Sequence, residues 1–185
     1  MKSSILTLSL CFLVLCCSKE GLPTQAPLEG ENGITASYKA DAVEHLALSS
    51  DSTLKLMSIE TNAMNVDGTS KSWLFMYCRT LSPFRGYYFT ATLDSIIFDS
   101  ISTRVPVGSA FISQTWVNSS IAAQIAESMG GKTFRSSNPD CSITADLGEP
   151  VVPNPAVSWW IMYRSITDAT KYQSFTFDAR TMPTK

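Results

Sequence analysis

The stretch SWLFMY at residues 72–77 decides the fold, because it recurs as SWWIMY at residues 158–163. In both stretches Trp and Tyr are four residues apart, and Met immediately precedes Tyr. Apolar side chains occupy both alternating sets of positions, which is the pattern of a central β-strand covered on its two faces. The recurrence predicts two copies of one supersecondary unit.

The sequence around each stretch predicts the same order of elements. The first copy has a helix at 36–48, a strand at 54–59, the Trp strand, and an aromatic strand at 86–93. The second has a helix from Asn118 or Ser119 to Gly130-Gly131, then strands at 142–147, 158–163 and 171–177. The run from Tyr87 to Ser100 predicts a long strand that reaches the second unit.

We therefore predict an α+β fold with two tandem repeats, residues 34–107 and 108–185. Each repeat would be a helix packed on a small antiparallel β-sheet. Because both faces of the Trp strands are apolar, the helix would cover one face and the partner repeat the other.

The first 33 residues predict a targeting signal and a tether. Lys2 precedes an apolar run, Ile5–Leu15, which fits a secretory signal and is too short to span a membrane. The run ends in VLCCS at residues 14–18, which resembles the bacterial lipobox. That resemblance implies a signal peptide at residues 1–16 and a lipid on Cys17. Cys16 occupies the place usual for Gly, Ala or Ser, so cleavage before Cys16 is the alternative.

The segment after the lipobox, residues 17–33, is polar and rich in Gly and Pro, which predicts a flexible tether. Together these features predict a lipid-anchored protein of the bacterial cell envelope, at the periplasmic or surface face of the outer membrane. The alternative is an ordinary secreted protein whose signal peptide ends in cysteines.

Charge and composition exclude several functional classes. The formal net charge is −2, and loss of Lys2 with the signal makes it about −3, which argues against a nucleic-acid partner. The only histidine, His45, is far from any paired Cys or His, so no metal, cofactor or catalytic residue is predicted. An enzyme of unrecognised type that uses His45 remains the alternative to a non-enzymatic protein.

Two cysteines, Cys78 and Cys141, fall in the folded part. In an oxidising compartment an even pair favours a disulfide, which would contribute about 4 kcal/mol on the chain-entropy model. Two buried free thiols are the alternative, since cysteine is among the most buried residue types.

The C-terminal half resembles a PepSY-like module. The W-x-x-x-Y strand at residues 159–163 is followed by Phe177-Asp178-Ala179-Arg180-Thr181, although Met182 replaces the usual Gly. The segments at residues 116–119 and 130–135 are similar to those of tandem PepSY-like lipoproteins. The tandem arrangement also resembles β-lactamase-inhibitory proteins in architecture. The resemblance implies a non-enzymatic module that in some relatives restrains peptidases.

The aromatic residues predict a binding surface as well as a core. Most of them would be core, but Tyr88, Trp116 and Trp160 would form an exposed patch between the repeats if they are not buried. We therefore expect a macromolecule-binding envelope protein with a protein or peptide partner. The alternatives are a structural or assembly component of an outer-membrane complex, and a small-ligand binding protein.

Overall fold

The computed structural model describes residues 33–80, 85–102, 111–112, 115–148 and 157–180. The elements in chain order are α1 (Ala40–Ser50), β1 (Leu54–Thr61), β2 (Ser72–Arg79), β3 (Gly86–Thr92), β4 (Ile96–Ser102), α2 (Ser119–Ala126), a π-helical turn (Glu127–Gly131), α3 (Lys132–Ser137), β5 (Cys141–Gly148), β6 (Ser158–Ser165) and β7 (Tyr172–Asp178). The seven strands form one antiparallel sheet in the order β4-β3-β2-β1-β5-β6-β7.

The predicted α+β fold of two tandem helix-on-sheet repeats is wrong. β1 and β5 pair directly, from Ser58 opposite Gly148 to Thr61 opposite Ala145, so the described strands belong to a single β-rich sheet. One core cluster on one side of the sheet contains residues from both halves of the chain. Pairing β1 with β5 satisfies backbone groups that two separate sheets would leave exposed at their edges.

The predicted alternation of the Trp strand is confirmed, but its second cover is not the partner repeat. Trp73, Phe75 and Tyr77 belong to the core cluster under the helices. Met76 and Cys78 belong to a smaller cluster on the opposite side of the sheet. The two halves of the chain lie side by side, because the hydrogen-bonded sheet continues across β1 and β5.

The predicted long strand Tyr87–Ser100 is two strands. The chain reverses between Thr92 and Ser95, where the Thr92 amide donates to the Ser95 carbonyl at 2.8 Å. β4 therefore lies at the edge of the sheet farthest from β7 and does not reach the second half.

The first helix begins four residues later than predicted. The segment before it is held by the second half instead, since the amide of Ala36 donates to Ser119 Oγ at 2.9 Å and that of Ser37 to Asn118 Oδ1 at 3.2 Å. Asn118 is also the N-cap of α2, as predicted, and its side chain accepts from the Ser119 amide.

Gly130-Gly131 does not end the second helix. Gly130 has a φ of +133°, and the helix continues through the π-helical turn into α3. A Cβ on Gly131 would lie 2.5 Å from Tyr163 Cζ, so the glycine makes room for that ring. Tyr163 Oη donates to Glu127 at 2.9 Å, and Glu127 also accepts from Arg135 at 2.6 Å. These contacts fix the kinked helix on β6.

The N-terminal predictions fall outside the described residues. These are the signal peptide, Cys16, Cys17 and the tether, except for Gly33. The predicted boundary between residues 107 and 108 also lies outside them. Within the described part of the chain, no helix has both the length and the apolar character needed to cross a membrane.

Candidate functional site on the helix-free face of the sheet

The side of the sheet opposite the helices carries a row of cross-strand neighbours. No described helix packs on this side, which we call the helix-free face. The row runs across six strands: Thr176, Trp160, Asp146, Glu60, Leu74 and Thr90. Glu60 and Asp146 are direct partners at its centre, so their Cβ atoms are about 5 Å apart.

Two carboxylates are therefore held side by side where β1 meets β5. Burial raises the pKa of Glu60. Burial, and secondarily the charge of Glu60, raise the pKa of Asp146 to about 6. Two like charges directly opposite each other on a sheet destabilise it. No basic side chain lowers the pKa of either carboxyl.

One carboxylate oxygen of Asp146 lacks a hydrogen-bond partner in the described part of the chain. Among the described residues, its Oδ1 is the only buried side-chain oxygen or nitrogen without one. Trp160 lies across from it on β6, and on the other side of the pair Leu74 lies across from Glu60. Gly148, two residues along β5, places no side chain beside Asp146, and a Cβ there would lie 3.5 Å from Oδ1. A buried acceptor without a donor is a site for a donor from outside the chain.

The neighbouring end of the helix-free face is covered by the chain itself. Phe111 packs there, together with Tyr88, against Met57, Met76 and Cys78. The adjacent residue, Ile112, packs against the core on the helix side, and its amide donates to the Leu56 carbonyl at 2.8 Å. The segment 111–112 therefore crosses from one side of the sheet to the other beside β1.

The structure does not bring together the three residues of the predicted aromatic patch. Tyr88 and Trp160 share the helix-free face, but four strand spacings separate them, about 19 Å. Trp116 is on the helix side, edge-to-face with Trp159 at 6.2 Å between ring centroids. The patch presupposed two units facing each other, whereas the halves lie side by side.

Cys78 and Cys141 are free thiols, as in the second alternative that the sequence left open, but only Cys78 is buried and Cys141 is half-buried. Cys78 pairs with Lys55 near the start of β1, whereas Cys141 lies beyond the end where Thr61 pairs with Ala145. That separation is on the order of 30 Å along the strands, far more than a disulfide can bridge.

The other predicted site residues form no constellation. His45 is exposed on α1. No group of three or more His, Cys, Asp or Glu side chains within the described residues is arranged to hold a metal ion. Asp178, at the end of β7, accepts from the amide and guanidinium of Arg180, and these bonds lower its pKa to about 2.

Comparison of the chain with protein-family models, curated proteins and solved structures gives no match. The PepSY-like resemblance therefore stays a prediction from its motifs.

Sequence reasoning missed the Glu60–Asp146 pair. Each carboxylate is next in sequence to a buried aliphatic residue, since Glu60 follows Ile59 and Asp146 precedes Leu147. The side chains of Ile59 and Leu147 are on the opposite side of the sheet, so the alternation assigns both carboxylates to the helix-free face. It does not say that β1 and β5 are neighbours, and that pairing makes the site.

Proposed function

We propose that this protein is a non-enzymatic, lipid-anchored protein of the bacterial cell envelope that binds another protein through its helix-free face. The single observation that carries the binding role is the Glu60–Asp146 pair, in which a buried carboxylate oxygen has no donor. The partner inserts a lysine or arginine side chain beside this pair.

Charge complementarity supports a basic side chain as the occupant. A cation between Glu60 and Asp146 relieves the repulsion of two half-buried carboxylates, and the partly apolar surroundings strengthen the attraction. Arginine has the additional advantage of five donors in a planar fork.

The flanking aromatic residue supports a protein partner. The half-buried Trp160 lies directly across from Asp146 and offers its ring to a cation or to apolar side chains around it. Tryptophan and arginine are the residues most enriched among those that dominate protein–protein binding energies. A peptidase is the partner class that the PepSY-like resemblance implies.

The binding role is tested with the full chain, tagged at its C-terminus and extracted in detergent, as bait for envelope proteins. The partner captured by the wild type is then titrated against Trp160→Ser and Asp146→Asn. We expect each variant to bind at least about tenfold more weakly, because each removes one half of the site. Binding of the wild type should also weaken as salt is raised.

Met129→Ser is the matched control, since Met129 is 49% exposed on the helix layer. It should bind like the wild type. Equal binding by all four proteins would contradict the proposal, and so would the absence of any partner. Capture of a multiprotein envelope complex that is indifferent to Trp160 would favour the assembly role.

The lipid anchor has its own test. Cys17→Ser is expected to move the protein from the membrane fraction to the soluble fraction, because the acyl chains supply the membrane affinity. Cys16→Ser should leave it in the membrane. Release by Cys16→Ser alone would instead place the lipid on Cys16, and retention of both variants would contradict a lipid anchor. Immunoblots of fractionated cells provide the measurement.

A further inference from the structure

A cleft of about 1000 Å³ lies on the other side of the sheet, between α1 and the residues Phe111, Ile112, Thr115 and Trp116. It exists because β5 pairs only with Ser58–Thr61, so the first half of β1 has no strand beside it there. Its volume is at the upper end of the range for small-molecule sites. Trp116, Ile112 and Leu54 supply apolar surface, and α1 supplies the polar wall.

Tyr77 of β2 lines this cleft with an unpaired hydroxyl. The residue is 3% exposed and its ring meets that of Phe89 edge-to-face at 5.9 Å. None of the described residues hydrogen-bonds to its Oη, and this oxygen is not fully buried, so it opens into the cleft that the residue lines. A buried tyrosine hydroxyl usually finds a partner, so this one is available to a ligand.

The wall above Tyr77 is acidic. Asp41 and Glu44 lie three residues apart on α1, hence on one side of the helix, and both line the cleft. Burial raises the pKa of Tyr77, and the charges of Glu44 and Asp41, which line the same cleft, raise it further. The phenol stays protonated and can accept a hydrogen bond from a cation.

Among the described residues, no basic side chain offsets this wall from within the cleft. Lys55 is the one lysine or arginine among the described residues that line it. In the register of β1 and β2, Lys55 is the partner of Cys78, whose side chain is on the helix-free face. Cross-strand partners share a face, so the Lys55 side chain points away from Asp41 and Glu44.

We propose that this cleft binds a small organic cation, a protonated primary amine on an apolar stem. The ammonium lies among Asp41, Glu44 and the Tyr77 hydroxyl, which accepts one of its three hydrogens. The stem lies against Trp116, whose half-buried ring offers apolar surface and a π face. An anion would be repelled by the acidic wall, and a neutral apolar molecule would leave the hydroxyl unpaired.

This site is separate from the one proposed for a protein partner. Trp116 and Tyr77 lie on the helix side of the sheet, whereas the Glu60–Asp146 pair and Trp160 lie on the helix-free face. The four tryptophans of the chain therefore report on the two sites separately.

The test is a titration of the full chain, labelled with ¹⁵N, with n-hexylamine, hexan-1-ol and hexanoate. The indole N–H resonances of the four tryptophans are followed. Hexylamine is expected to shift the Trp116 resonance saturably. Hexan-1-ol, which has the same stem, should bind at least about tenfold more weakly, and hexanoate should not bind.

Two variants connect the binding to the named groups. Tyr77→Phe keeps the ring and should leave the fold intact, because the hydroxyl has no partner, while weakening hexylamine binding about fivefold. Asp41→Asn combined with Glu44→Gln should weaken it at least about tenfold. The matched controls are Tyr172→Phe, at a residue that is 60% exposed on β7, and Asp94→Asn, in the exposed turn after β3.

Three results would overturn the proposal. One is equal binding of hexylamine and hexan-1-ol, which would indicate an apolar cleft without cation selectivity. Another is a saturable shift of Trp160 in place of Trp116, which would put the amine at the Glu60–Asp146 pair. The third is undiminished hexylamine binding by both variants, or no saturable shift at all.

Discussion

Replacing Trp73 or Trp159 by alanine is expected to lower the free energy of unfolding by about 3–5 kcal/mol in each case. Both side chains are fully buried, and their rings meet edge-to-face at 6.1 Å between centroids, close to where the two halves of the sheet join. Each indole N–H also donates to a backbone carbonyl, Trp73 to Ile34 and Trp159 to Val117, both at 2.8 Å. Either truncation removes packing, and that of Trp159 also leaves the Val117 carbonyl without its donor, whereas the Ile34 carbonyl keeps the Ser70 amide.

Chemical denaturation of the full chain measures this effect. Trp160→Ala is the matched control, because Trp160 follows Trp159 on β6 but is half-buried on the opposite side of the sheet. This variant should lower the free energy of unfolding clearly less. The double variant Trp73→Ala/Trp159→Ala should lose less than the sum of the single losses, since each truncation already disrupts the shared contact. Additive losses, or an unchanged denaturation midpoint for either single variant, would contradict a common core.

Asp146→Asn is expected to stabilise the protein at neutral pH by about 3 kcal/mol. The pKa of Asp146 rises from its usual 3.8 to about 6 in the folded protein, and one pKa unit corresponds to about 1.4 kcal/mol. Between these values the folded state binds more protons than the unfolded state. The free energy of unfolding of the wild type therefore falls as pH rises from about 4 to about 7.

Asparagine carries no charge, so the free energy of unfolding of the variant does not fall with pH for this reason. The difference in unfolding free energy between variant and wild type should be small near pH 4, grow through pH 6, and be largest above pH 7. Denaturant titrations at several pH values give this difference, in which the titrating groups that do not interact with Asp146 cancel.

Asp178→Asn is the control of opposite sign. Hydrogen bonds from Arg180 lower the pKa of Asp178 to about 2, so its carboxylate stabilises the folded state above the usual pKa, and that stability is lost as pH falls. Replacing the Asp178 carboxylate by the amide of asparagine should therefore destabilise the protein at neutral pH. A difference curve for Asp146→Asn that is flat, or that rises toward acid, would contradict the buried carboxylate pair.

Local elements were predictable to within a few residues from the pattern of apolar positions. SWLFMY and SWWIMY both form strands that bury Trp and Tyr on the helix side, because alternation requires only the strand itself. The N-cap Asn118 is equally local, since its side chain caps the next amide along the chain. The continuation of the helix past Gly130 was missed because these glycines lie against residues of distant strands, Gly130 against Phe175 and Gly131 against Tyr163.

The sequence by itself determined where most strands lie, which of their sides are buried and where the second helix starts, while the N-terminal targeting motif stays a prediction. Only the tertiary structure decided that β1 pairs with β5, and with it the fold and the candidate site. That pairing sets Glu60 beside Asp146 and separates Trp116 from Trp160. The physical reason is that hydrophobic alternation is encoded along one strand, whereas two edge strands with the same alternation can bind edge to edge or stack face to face. The backbone hydrogen bonds that the edges gain decide between these arrangements, and they carry no side-chain signature.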